Sequence, residues 1–235
     1  MPRRSRIHLD GVPLHIVQRG HNRERCFFAE DDCRIYLYWL DKALAQFGCA
    51  LHAYVLMTNH VHLLLTPTRA ELVPQLVISI GRRYVQYVNR RYRRTGTLWD
   101  SRYKSSLVQA ETYLFTCQRY IELNPVRARL VDDPARYRWS SYRANALGEL
   151  DPRLSPHPLY LALGSDDVQR RSAYRMLFEP GSEDTETDRI RLALKQCQPV
   201  GDGRFYADIE EQTGIRREAK RRGRPPATGV RATSS

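Results

Sequence analysis

Between Ala53 and Pro67 the chain carries two apolar runs broken at Thr58-Asn59, the second beginning His60-Val61-His62-Leu63-Leu64-Leu65. Side chains alternate faces along a β-strand. A strand here therefore turns Val61, Leu63 and Leu65 towards a core and sets His60 and His62 side by side on the opposite face. Two neutral imidazoles held by a strand, rather than by a loop, suit a divalent ion that could polarise a phosphate oxygen. An H-x-H pair by itself fits equally well two surface histidines on a half-exposed strand, or one half of a zinc site.

The surrounding pattern places this hairpin in a sheet packed by helices. Residues 14–18 read as a first strand and 31–47 as a helix, with Ile35, Leu37, Trp39, Leu40, Ala43 and Leu44 available for a core and Gly48 as its C-cap. Strands at about 50–56 and 61–65 follow, joined by the tight turn at Thr58-Asn59, and a second long helix spans 71–92. Short extended pieces at 97–99 and 105–108 precede a third helix. This order predicts an α+β sandwich of ferredoxin-like type with an antiparallel sheet. About 125 residues suffice for one core of that kind. After Tyr142 the character changes: 147–158 is a Pro-rich connector, 165–178 and 184–197 read as helices around a turn at 179–182, and 201–211 leads into a basic tail.

The third helix, from Gln109 to Pro125, adds chemistry. Tyr120 and Asn124 are four residues apart and share one face, with Tyr113 and Cys117 earlier on the same stripe. A tyrosine hydroxyl can attack a phosphodiester, and an Asn side-chain oxygen can complete a metal shell begun by two histidines. The plain alternative is that Tyr120, one of 14 tyrosines, only packs its ring. On a regular helix Glu122 points away from Tyr120. Cysteines 26, 33, 49, 117 and 197 are scattered and never spaced C-x-x-C, which indicates neither a disulfide framework nor a zinc ribbon, and they read as small buried residues.

The charge balance is that of a polyanion binder. Lys and Arg number 38 against 26 Asp and Glu, a net +12. Only Lys42, Lys104, Lys195 and Lys220 are lysines; the rest are guanidinium groups, whose planar fork suits phosphate, although a GC-rich genome produces the same bias. From Gly81 to Arg94 six arginines interleave with three tyrosines, Arg82 and Arg83 among them. That stretch offers phosphate contacts and base stacking, or a solvated face with Tyr84 and Val88 turned inward. Arg19, His21, Asn22, Arg23 and Arg25 form a tighter polar cluster after the first strand. Arg222-Gly223-Arg224-Pro225 is similar to the core of an AT-hook, or is simply a basic tail with phosphate affinity. No apolar run approaches membrane-spanning length and Met1–Arg6 lacks a signal-peptide core, so the expectation is a soluble, cytoplasmic protein that does not enter a membrane.

Taken in order, Val17–Arg23, Ala53–Pro67, Gly96–Ser105, Arg119–Ala128 and Trp139–Tyr142 resemble the REP-associated tyrosine transposases, of the HUH single-tyrosine transposase superfamily. The resemblance spans roughly the first two-thirds of the chain. It implies an HUH nuclease core at 8–130, a helical extension at 131–200 and a flexible DNA-contacting tail at 201–235. It also implies that Tyr120 is the nucleophile and that His60, His62 and Asn124 hold Mg2+ or Mn2+. Arg19, Asn22, Arg23, Arg82, Arg83, Arg102, Lys104, Arg222 and Arg224 are the expected DNA contacts. The implied reaction is cleavage and rejoining of single-stranded DNA beside hairpins of repetitive extragenic palindromes, through a 5′-phosphotyrosine, by a nucleoid-associated protein expected as a monomer, with a dimer as the alternative. Two other classes fit parts of the pattern: a non-catalytic sequence-specific DNA-binding protein and a metal-dependent nuclease that uses water.

Overall fold

A computed structural model of the chain describes residues 6–179 and 183–215. Arg222 and Arg224, and with them the AT-hook-like stretch, lie outside the described residues. Strand β1 (Leu14–Arg19) is followed by helix α1 (Glu30–Phe47), the hairpin β2 (Cys49–Met57) and β3 (His60–Pro67), helix α2 (Val73–Arg91) and strand β4 (Lys104–Leu107). The four strands form one sheet in the order β2-β3-β1-β4, antiparallel at every pairing. This is the βαββαβ order of a ferredoxin-like sandwich. Pairing is in register except at a bulge between Leu51 and Ala53.

Local chemistry sets the element ends. Asp32 reaches back from the first turn of α1 to accept from the backbone N–H of Phe28 and Ala29, satisfying two donors at the helix start. Gly48 closes α1 in the left-handed conformation, φ 64°, with its N–H bonded to Leu44. The turn at Thr58-Asn59 is the two-residue connection that the break between the apolar runs predicts.

One face of the sheet, with Ile16, Val61, Leu63, Leu65 and Leu56, packs under α1 and α2 through Leu37, Leu40, Leu76, Ile80 and Tyr84. Tyr84 and Val88 are fully buried, as the inward reading of the Arg/Tyr-rich helix requires. Arg82 and Arg83 lie exposed on the same helix, and Arg83 stacks over Trp39.

The other face is covered too. Helix α3 (Ala110–Glu122) lays Tyr113, Leu114, Cys117, Tyr120 and Ile121 against Ala53, Val55, Met57 and Leu64. It pauses at Leu123, and Pro125 sits in the first turn of the short α4 (Asn124–Arg127) rather than simply ending the helix. The later helices are α5 (Tyr142–Leu147), α6 (Pro158–Leu161), α7 (Asp167–Met176), α8 (Glu183–Gln196) and α9 (Gly203–Thr213). Helix α9 corrects the reading of 201–211 as mere approach to a tail: Asp202 caps it through the Phe205 N–H and Ile209 packs into the main core. A Gly-rich start hid it in the sequence.

The extension is laced to both sheet edges. Along β2, Trp139, Ser141 and Ser155 exchange backbone hydrogen bonds with Leu56, Tyr54 and Leu51; beyond β4, Val200 bonds to Leu107 and Gln109. Helix α8 adds Ile190 and Ala193 to the α3 side of the core.

Glu122 is the buried joint between core and extension. It is 0% exposed and accepts hydrogen bonds from Ser141, Asn145 and Tyr174. Burial outweighs these three donors and raises its pKa from 4.5 to about 7. The folded protein therefore retains a proton that the unfolded chain loses, and this contribution to stability is complete below about pH 4.5 and lost as pH rises to about 7. Glu122→Gln keeps an acceptor and cannot ionise, so thermal unfolding from pH 4.5 to 7 should lose this component of its pH dependence. Glu122→Ala leaves three donors unpaired and should cost about 1–3 kcal/mol for each that finds no water, read by denaturant unfolding.

Candidate active site

The β1–β3 register builds the site. Val17 pairs with His62 and Arg19 with His60, so both histidines stand on the α3 face, as the alternation predicts. His60 is half-buried and His62 is 2% exposed, not the open surface pair that an isolated hairpin would display. Their rings are 5.0 Å apart at 71°. Burial lowers the pKa of His60 to about 4, with Arg19 adding to the effect, and holds that of His62 well below 6.5. Both are uncharged at neutral pH, the form in which imidazole is a ligand.

Tyr120 reaches this pair from α3. Its ring lies 5.7 Å from that of His62, edge-on at 73°, and is 8% exposed. The Arg127 guanidinium sits 4.5 Å over the Tyr120 ring and donates to the Tyr120 carbonyl, while that of Arg191 from α8 lies 5.9 Å away. Asn124 donates through Nδ2 to the carbonyls of Tyr120 and Ile121. This commits the nitrogen end of its amide to the helix terminus and leaves Oδ1 as the end suited to a cation. Cys117, on the same stripe, is fully buried and burial raises its thiol pKa, which fits packing. Glu122 is occupied in its own network, on the side away from Tyr120.

A cleft of about 320 Å³ opens beside His62 and Tyr120. Its cationic lining comes from Arg19, Arg23, Arg102 and Lys104 in the sheet-and-loop core and from Arg191 and Lys195 in α8, with Asp100 as the single acid. Four of the DNA contacts expected from sequence thus converge here. Asn22 stands exposed in the neighbouring turn, whereas Arg82 and Arg83 sit on α2, across the sheet, and do not line the cleft. Arg191 and Lys195 carry no sequence signal that would link them to a histidine more than 120 residues earlier.

Two further residues enter the site without having been read from the sequence. His15, on β1, is 0% exposed; its Nε2 is 2.8 Å from His62 Nδ1, and its ring lies 5.1 Å from that of His62 and 5.8 Å from that of Tyr120. The alternation that places His62 on this face would have placed His15 there too, between Leu14 and Ile16 of the opposite core. Asn59 accepts from His60 Nδ1 at 2.6 Å and donates to the Arg23 carbonyl at 2.9 Å. It ties the hairpin to the turn carrying Arg19 and Arg23.

That turn is tight. Asn22 and Arg23 have φ of 50° and 62°, in the left-handed region that non-glycine residues seldom occupy. At Gly20 an added Cβ would fall 2.3 Å from the Glu24 carbonyl oxygen.

Two imidazole nitrogens and one amide oxygen suit a divalent ion that takes its remaining ligands from water or phosphate. Among the described residues no three His, Cys, Asp or Glu side chains gather as a metal site, so an all-protein cage of those types is not what this cleft offers. Nor, among the described residues, is any helix long and apolar enough to cross a membrane.

Residues 9–124 match a family model described as IS200-like transposase. Among solved structures, a REP-associated tyrosine transposase bound to a REP hairpin aligns with a TM-score of 0.56 at 14% identity, over 68% of this chain and 93% of that one, which establishes a shared fold. A putative transposase from Deinococcus radiodurans R1 is 24% identical over 52% of this chain and 96% of its own, with a TM-score of 0.36. A search of curated proteins found no match.

Gly20→Ala should displace the Arg19–Arg23 turn and cost about 1–3 kcal/mol, as overpacking does. An unfolding midpoint equal to the wild type would mean that the turn opens freely.

Proposed function

This chain belongs, through residues 9–124, to the IS200-like transposase family, and from that premise we propose that it cleaves and rejoins single-stranded DNA beside a hairpin, with Tyr120 as the nucleophile. The observation that carries this reading is the Tyr120 ring packed against His62 in a cleft lined by six cationic side chains. A structural metal site or a purely binding surface would have no need of a phenol at that place.

His60 and His62 would hold Mg2+ or Mn2+ together with the Asn124 side-chain oxygen. When bound, the ion supplies positive charge beside a non-bridging phosphate oxygen as phosphorus becomes five-coordinate. Tyr120 attacks phosphorus in line through its hydroxyl oxygen. A phosphorus–oxygen bond to the tyrosine forms as the bond to the 3′ oxygen breaks, giving a 5′-phosphotyrosine and, once that oxygen takes up a proton, a free 3′-hydroxyl. The phenol gives up its proton as the new bond forms. The bond count is unchanged, so a 3′-hydroxyl can reverse the step and rejoin strands with no nucleotide cofactor.

Arg19, Arg23, Arg102 and Lys104 would neutralise phosphates on the core side of the strand, and Arg191 and Lys195 on the extension side. Arg127, packed over the Tyr120 ring, keeps that ring turned towards His62. Asn22 stands where a base or phosphate entering past the tight turn would meet it. The substrate class we propose is hairpin DNA of the repetitive extragenic palindrome type with a single-stranded flank, handled by a monomer; the fold shared with a transposase solved on such a hairpin supports it.

The test is covalent trapping on a denaturing gel with a labelled hairpin oligonucleotide, with Mg2+ or Mn2+. A shifted protein band is expected, absent for Tyr120→Phe and with chelator. Cleavage without an adduct would assign the attack to water, and binding without cleavage across a hairpin panel would leave a DNA-binding module. A second measurement addresses the extension. Arg191→Ala/Lys195→Ala should weaken hairpin binding and flatten the plot of log affinity against log salt by about 1 to 2, and an unchanged slope would remove α8 from the DNA path.

A further inference from the structure

We propose that His15 and Asn59 are positioning residues that keep the ring proton of His62 and of His60 on Nδ1, so that Nε2 of both is left as a bare acceptor. This rests on the reading of His60 and His62 as ligands, and asks what makes two strand histidines present the same nitrogen.

At His60 the hydrogen bonds decide. Asn59 Nδ2 is committed to the Arg23 carbonyl, so the end of the amide 2.6 Å from His60 Nδ1 is the oxygen, which can only accept. Nδ1 must then carry the proton, and Nε2 of a neutral imidazole carries the lone pair.

At His62 the partner is another imidazole, 2.8 Å away at His15 Nε2, and either ring can donate. The cleft decides between the two arrangements. If His15 donated, His62 would keep an Nε2–H in a cleft lined by six cationic side chains and one acid, Asp100; if His62 donates, it keeps a lone pair there. Charges of that sign favour the lone pair. His15 then accepts through Nε2, and its own Nδ1 is left buried with no partner. A buried polar atom without a partner costs about 1–3 kcal/mol. On a face where Leu64, the strand partner of His15, is apolar, a leucine would avoid that cost. A fully buried histidine whose only side-chain hydrogen bond, among the described residues, is to His62 is spent on orienting that ring, as is usual for the groups behind metal-binding imidazoles.

The decisive measurement is a long-range 1H–15N spectrum of the full chain labelled at histidine, without metal. Both His60 and His62 are expected as the Nδ1–H tautomer; His62 found as Nε2–H overturns the assignment of His15. His15→Leu should mix the His62 tautomers and reduce Mn2+ affinity by about 10- to 100-fold, measured calorimetrically, while His15→Gln, whose amide oxygen can still accept, restores much of it. Asn59→Ala should do the same to His60, with Asn59→Asp as the rescue. Affinity unchanged in both His15→Leu and Asn59→Ala overturns the proposal. If the wild type binds no Mn2+ at all, the ligand reading fails, and the tautomers measured without metal still decide this inference.

Discussion

Everything at the centre of this protein hangs on the antiparallel pairing of β1 with β3. Its register sets Val17 against His62 and Arg19 against His60, so one strand supplies the imidazoles and its neighbour supplies, two residues to either side of Val17, the buried His15 and the exposed cation Arg19. A slip of one residue would exchange the faces of the whole strand. It would carry the histidines under α1 and α2 and bring Val61 and Leu63 out to α3. The apolar core below the sheet therefore does more than hold the fold: by demanding Ile16, Val61, Leu63 and Leu65 on its side, it dictates what stands on the other.

How much of this could be read in advance follows from which physical rule each feature obeys. The sheet, the hairpin and the two long helices follow from short-range periodicity and turn chemistry, and residues such as Gly48, Asn59 and Tyr84 sit where those rules place them. The pairing of His60 with His62 is local as well. What escaped was of three kinds. His15 obeyed the same alternation but lay in a strand whose pairing partner is more than 40 residues away, so its nearness to His62 needed the register as well as the period. Arg191 and Lys195 depend on how α8 packs against α3, a tertiary arrangement with no local signature. Helix α9 escaped for an opposite reason, since glycines at 201 and 203 argue against a helix that the Asp202 cap and the packing of Ile209 stabilise.

The second layer, α3 with α8, changes the character of the histidine face. In a bare sandwich this face would be wet, its imidazoles free to protonate near neutrality. Covered, His15, His60 and His62 are held neutral by burial, and a cleft with cationic walls opens beside His62. Low dielectric strengthens each remaining electrostatic contact in such a place. The arginines over the Tyr120 ring belong to the same design: one comes from just beyond the helix that bears the tyrosine, the other from the extension, so the phenol is enclosed by both parts of the chain.

The lacing of residues 139–155 and 200 along β2 and β4 has a consequence for what the smallest workable protein is. An exposed strand edge is a template for another chain, and here the protein's own backbone already bonds along the β2 edge and at the Leu107 end of β4. Those stretches are closed to strand addition by a second copy. Conversely, a fragment ending near residue 130 would carry two raw edges, an uncovered flank of α3 and the Glu122 carboxylate stripped of Ser141, Asn145 and Tyr174. Such a fragment, though it holds every residue from His15 to Asn124, would expose the strand edge and apolar surface that the extension covers.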